Sequence, residues 1–178
     1  MGWSLNIRGT FRDREAVDVA LLAAGKALYL ANAFESKCQY VLRIAKLASF
    51  LEVHGNAGLD DALASLARDK FLHPTLEALK RFPVVRQEEV GILDRARDGR
   101  NFIAHEGGAL GYAFDVTRSQ VDDHLEKLRV AVVDLARGDN IVSRWVYEIE
   151  EKEPAPFQMV HSYPAMVEGW VFGDVRDA

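Results

Sequence analysis

One stretch of the chain concentrates side chains that could do chemistry: Asp94-Arg95-Ala96-Arg97-Asp98-Gly99-Arg100-Asn101-Phe102-Ile103-Ala104-His105-Glu106-Gly107. On a helix, at ~100° per residue, spacings of three and four put Asp98, Asn101 and His105 on one face. Arg100 lies beside that face, with a stem long enough to reach across it. A carboxylate, an amide, a guanidinium and an imidazole are thus gathered at a helix end next to a glycine loop. Phe102 and Ile103 are placed to anchor the other side in a core. Arg95, Arg97 and Arg100 also form a local basic concentration, the kind of site that can meet phosphate within an otherwise acidic chain.

The elements that must position this segment are helices. From Asp13 an apolar stripe (Val17, Ala20/Leu21, Ala24, Leu28, Ala31, Phe34, Cys38, Val41/Leu42, Ala45, Ala48) recurs at spacings of three and four. Asp13 is the expected N-cap, and His54, Gly55, Asn56 and Gly58 end the run. A helix of that length either spans the whole domain or breaks near Ala31–Phe34. Leu59 to Ala67 reads as a short helix with Asp60 and Asp61 in its first turn. Pro74 starts another over Thr75 to Phe82, stopped by Pro83. Gln87 to about His105 is the next, ended by Gly107 and Gly108. Thr117 opens the last long helix, whose stripe runs through Val121, Leu125, Leu128, Val132 and Leu135 to Val142, Val146 and Ile149. Pro154 and Pro156 close it. Residues 157–178 read as a docked irregular extension with a short strand at Gly169–Phe172. Gly2 to Arg12, with Trp3, Leu5, Ile7 and Phe11, reads as an extended arm. The expectation is one all-α domain over residues 1–178. Within it, an antiparallel up-and-down bundle of four to five helices covers about 13–153, two long helices enclosing shorter ones, and a tail covers 154–178.

Composition narrows the function classes. The 178 residues suit one domain with a sizeable core, and 49% hydrophobic with 28% charged content is ordinary for a globular chain. The longest apolar candidate, Val17 to Phe34, is interrupted by Asp18, Lys26 and Asn32, so no membrane-spanning run is expected. Charged residues from Arg8 onward do not suit a signal peptide, and cytoplasmic residence is the expectation. Cys38 is the one cysteine, which excludes an internal disulfide and a multi-thiolate zinc site within one chain. A net charge of −5 argues against passive adhesion to nucleic acid.

Arg100-Asn101-Phe102-Ile103-Ala104-His105 resembles the motif of the HEPN superfamily (higher eukaryotes and prokaryotes nucleotide-binding): an arginine, four to six residues, then a histidine. A polar residue commonly follows the arginine there, as Asn101 does here, and the motif lies on a late helix of a bundle of four or five. The architectural likeness covers roughly residues 13–150 and the motif only six. Toxins of the HEPN–nucleotidyltransferase pairs typically carry a tyrosine two residues after the histidine, where this chain departs with Gly107. The resemblance implies a metal-independent endoribonuclease, toxin-like or defensive, that needs no cofactor. His105 would be general acid or base on the ribose 2′-hydroxyl. Arg100 would hold the scissile phosphate, and Asn101 would orient the imidazole or bond a phosphate oxygen. It further implies RNA as substrate, a homodimer in which two motifs face one another, and an antitoxin or other regulatory protein as partner.

Other assignments of the same residues stand beside this one. Arg100 could pair with Asp98 or Glu106 at the surface, with His105 a helix C-cap favoured by the dipole. The chain would then be a non-catalytic HEPN-like module that binds RNA, nucleotide or a protein partner, or a helical scaffold whose aromatic tail docks a partner. Glu35 faces roughly the first helix's stripe, where an unpaired carboxylate would be costly. It is either a partner of Arg100 or His105 across the bundle or an edge residue near Lys37 or Lys46. No second histidine follows His105-Glu106 at metal-ligand spacing, and His54, His73, His124 and His161 show none among themselves. His124 reads as a boundary residue and His73 as a turn residue before Pro74. A helix, not a strand, precedes Gly107–Gly111, so that loop is no dinucleotide cradle.

Overall fold

A computed structural model describes residues 14–55, 71–82, 85–112 and 116–173. The expectations placed on Asp13, Leu59–Ala67, Pro83 and the amino-terminal arm lie outside them. Five helices make up the described chain: α1 Arg14–His54, α2 Leu72–Leu79, α3 Gln87–Glu106, α4 Arg118–Glu151 and α5 Phe157–Phe172. A single 3₁₀ turn, Ala109–Tyr112, follows α3. The protein is an all-α helical bundle.

Helix α1 runs unbroken for 41 residues. Its buried stripe is built from small residues (Ala16, Ala20, Ala23, Ala24, Ala27, Ala31) followed by the larger Phe34, Cys38, Val41 and Leu42. Alanine is the best helix former and lets a neighbouring helix approach closely. By length and composition α1 is also apolar enough to cross a membrane, which departs from the sequence expectation. The interrupting Asp18, Lys26 and Asn32 leave a sufficiently apolar window around them.

Helix α2 begins three residues earlier than expected. Phe71 is its N-cap, which puts Pro74 at the third helical position, where the backbone N–H that proline lacks has no intrahelical acceptor. His73 is therefore a first-turn helical residue. Thr117 opens α4 as expected, and the structure adds a capping box there: Thr117 N–H donates to Gln120 Oε1 at 2.9 Å, and Gln120 N–H donates to Thr117 Oγ1 at 3.4 Å. Past Glu151 the chain turns through Lys152 in the left-handed region, φ 58°.

Residue pairings fix the directions. Gly107–His124 at one end and Glu89–Arg144 at the other make α3 and α4 antiparallel. Asn140–Val160 and Arg129–Glu168 do the same for α4 and α5. Val17 shares a cluster with Val121 while Lys37 meets Asp139, so α1 and α4 run parallel. The expected pair of long antiparallel helices is thus corrected: α1 and α4 are the two rising strokes of an up-and-down bundle, and α3 and α5 descend.

The carboxy-terminal segment is a helix, not an irregular tail with a strand. Pro164 lies inside it and cannot donate to the Val160 carbonyl one turn back. Asn140 of α4 replaces that donor, its Nδ2 reaching Val160 O at 2.7 Å. Glu168 pairs with Arg129 at 2.8 Å, Tyr163 donates to Asp139, and the Arg129 guanidinium stacks 4.7 Å from the Phe172 ring. Asp139 is 2% exposed; Lys37 Nζ lies 2.7 and 2.8 Å from its two carboxylate oxygens, so one buried carboxylate ties α1, α4 and α5 together.

Candidate functional site

The residues of α3 sort by helical rotation. Leu93, Ala96, Gly99 and Ile103 are buried against α1 and α4, while Asp98, Asn101, Ala104, His105 and Glu106 are exposed. The face predicted for Asp98, Asn101 and His105 is therefore the solvent face. Arg100 falls between the buried Leu93 and Ala96 in rotation, ~140° from His105, so its stem leaves the helix on the core side. Its side chain is only 21% exposed.

What such a buried cation needs is a counter-charge, and α1 supplies it. Arg100 Nη2 donates to Glu35 Oε2, whose side chain is 16% exposed. Arg100 Nη1 donates to Asn101 Oδ1 at 3.3 Å, which bends the guanidinium round toward the exposed face. Arg100 Nε is buried and makes no hydrogen bond. Two of the five guanidinium N–H groups are thus engaged, and three have no acceptor among the described residues. Arg100 meets neither Asp98 nor Glu106: Asp98 is held by Arg97 at 2.9 Å. Glu35 is the across-the-bundle partner of Arg100, while Lys37 turns away to Asp139 and Ser143.

His105 stands exposed one turn beyond Asn101, and its ring makes no hydrogen bond among the described residues. It is not a cap. Gly107 takes the C-cap position in right-handed helical conformation, its N–H donating to Phe102 O at 3.0 Å and Ile103 O at 3.3 Å. Arg100 and His105 are brought to the same end of α3 but not into contact. Asn101 is the link, bonded to Arg100 and sharing the face of His105.

The basic run is not a free positive patch. Arg97 binds Asp98 and Asp94 (3.2 Å), with His73 Nδ1 at 3.4 Å, and Arg95 lies 3.8 Å from Asp134. Spacing alone shows three arginines; only the fold shows that each has a carboxylate.

Two features beside the motif carry no signal in its six residues. Gly99, directly before Arg100, touches α4 so closely that a Cβ there would stand 2.5 Å from the Ala131 carbonyl oxygen. His124 reaches over from α4, its Nε2 2.9 Å from Gly107 O and its ring centroid 6.2 Å from that of Phe102. It also lines an open groove of about 300 Å³ with Leu110, Val116, Gln120, Asp123 and Lys127. Both pin the helix end that carries His105. Among the described residues no three His, Cys, Asp or Glu side chains gather as a metal site. Compared with known proteins, the chain matches no family model, no curated protein and no solved structure.

Proposed function

We propose that this chain is a HEPN-type endoribonuclease that cleaves single-stranded RNA as a homodimer and without a metal. The observation that carries the reading is an oriented arginine with one uncommitted N–H on each of its two Nη atoms, at the helix end where His105 is exposed and makes no hydrogen bond among the described residues. Arg100 suits a phosphodiester because its planar fork can give two parallel hydrogen bonds to phosphate oxygens. His105 in its neutral form takes the proton from a ribose 2′-hydroxyl, and that oxygen attacks the adjacent phosphorus. The bond to the 5′-oxygen breaks, and an imidazolium from the second copy protonates the leaving oxygen. The products are a 2′,3′-cyclic phosphate and a 5′-hydroxyl. Asn101 keeps the guanidinium turned toward the face of His105. Lys127, in the groove past the helix end, is placed to meet a neighbouring phosphate, and an antitoxin or regulatory protein would act by covering this end of the bundle.

The test is cleavage of a single-stranded RNA in EDTA. The wild-type protein should release cyclic-phosphate ends and leave DNA of the same sequence intact. His105→Ala should lower the rate by about two to four decades while remaining folded, and Arg100→Lys should recover only part of what Arg100→Ala loses. Cleavage unchanged in His105→Ala sinks the proposal.

A second reading rests on a different observation, the neutralisation of Arg95, Arg97 and Arg100 by carboxylates. It makes the chain a non-catalytic module that binds RNA, nucleotide or a protein partner. Wild-type protein that binds RNA without ever cutting it would favour that reading.

A further inference from the structure

We infer that Glu35 is the built-in counter-anion of Arg100, a positioning residue that aims the guanidinium and also limits how strongly the site can hold a phosphate. The inference rests on the reading of Arg100 as the phosphate-binding residue. Glu35 comes from a different helix, 65 residues away in sequence, and both side chains are mostly buried. A buried carboxylate with one cationic partner is strongly held, since ionising it alone would be costly. The other cation near it in sequence, Lys37, is taken by Asp139 and Ser143. Arg97 is occupied by Asp94 and Asp98, so neither of these two cations replaces the charge that Glu35 cancels.

Two consequences follow from one contact. Nη2 is held from the α1 side and Nη1 from Asn101, so the guanidinium is oriented before any ligand arrives, and part of the entropic cost of binding is already met. A phosphate on the free N–H groups would share one guanidinium with Glu35, and two anions at that range repel. The pair therefore discriminates against polyanions that offer only charge. It favours an RNA that adds further contacts, which suits specificity more than affinity. This is consistent with a chain of net charge −5 that carries no free basic patch at its motif.

The experiment separates charge from geometry. Binding of a single-stranded 2′-O-methyl oligoribonucleotide, which cannot be cleaved, is measured against salt for the wild type, Glu35→Gln, Glu35→Asp, Arg100→Ala and Glu35→Gln/Arg100→Ala. In Glu35→Gln the amide oxygen still accepts from Nη2 but the negative charge is gone. Binding should tighten by about tenfold or more, and the slope of log K against log salt should steepen by up to ~0.7. The double variant should show no such gain, because the effect passes through Arg100. Glu35→Asp keeps the charge and should keep the wild-type salt slope, and it serves if Glu35→Gln folds poorly: a slope steepened in Glu35→Asp counts against the proposal. A purely structural Glu35 predicts binding that is unchanged or weaker in folded Glu35→Gln, and that result overturns the inference. If Arg100→Ala does not weaken binding, the site reading falls and takes this proposal with it. If Arg100→Ala weakens binding but Glu35→Gln does not tighten it, only the counter-anion role is lost.

Discussion

Glu89 shows how single residues in this bundle trade burial against pairing. It is 2% exposed. Burial alone would push its carboxyl up, but hydrogen bonds from Arg86 and Arg144 outweigh that and hold it below the ordinary glutamate range. A carboxyl that ionises more readily when folded stabilises the fold in full above its unfolded value of about 4.3. That stabilisation is lost as pH falls through the lower folded value. Urea titrations should therefore show Glu89→Gln less stable than wild type by about 3 kcal/mol at pH 7, with the gap narrowing below pH 4. A gap independent of pH would mean that packing, not charge, is what Glu89 contributes. Cys38 is fully buried in the core, and burial, with Asp139 nearby, pushes its thiol well above the usual range. Since the thiolate is the reactive form, iodoacetamide should label Cys38 at pH 8 only when the protein is unfolded. Rapid labelling of the native state would contradict that burial.

Between elements, α3 packs tightly against α4, and two glycines permit it. Gly99 lies on the Ala131 backbone, and a Cβ at Gly138 would overlap that of Ala96. Alanine is the better helix former by about 1 kcal/mol, so an exposed glycine would gain from substitution. Here overpacking should win: Gly138→Ala is expected to lower stability by about 1–3 kcal/mol in chemical denaturation, and an increase would refute the close contact. Helix α5 depends on a cross-element repair, the Asn140 amide replacing the donor that Pro164 lacks. Asn140→Ala leaves the Val160 carbonyl without that donor and should cost about 1–2 kcal/mol. Hydrogen exchange should report the loss as faster opening of α5, while α3 is unchanged.

At the scale of the molecule, in-line attack puts the 2′-oxygen and the leaving 5′-oxygen on opposite sides of phosphorus, beyond the reach of one imidazole at the same moment, so the proposed chemistry calls for two copies. Sedimentation at micromolar concentration should show a dimer, and Asn101→Asp/His105→Asp, which adds negative charge to the motif face of each copy, should shift it toward monomer if that face is the interface. A strict monomer for the wild type would remove the two-copy mechanism.

How much of this was legible beforehand depends on the range of the interaction. Helix-forming stripes, the start of the last long helix at Thr117, the stop after Glu151 and the shared face of Asp98, Asn101 and His105 are set by neighbours within about four positions, and local pattern carries them. Three things were not so carried. The parallel course of α1 and α4 depends on how the intervening helices return, which no local pattern encodes. The helicity of residues 157–172 hides behind Pro164 because the rescuing amide is 20 residues away. The partner of Arg100 comes from 65 residues upstream, so sequence alone could offer Glu35 as one candidate among several. Local spacing determined which side chains this protein has available at one helix end. Tertiary packing decided which of their charges remain free, because a buried cation takes whichever carboxylate the fold places within reach.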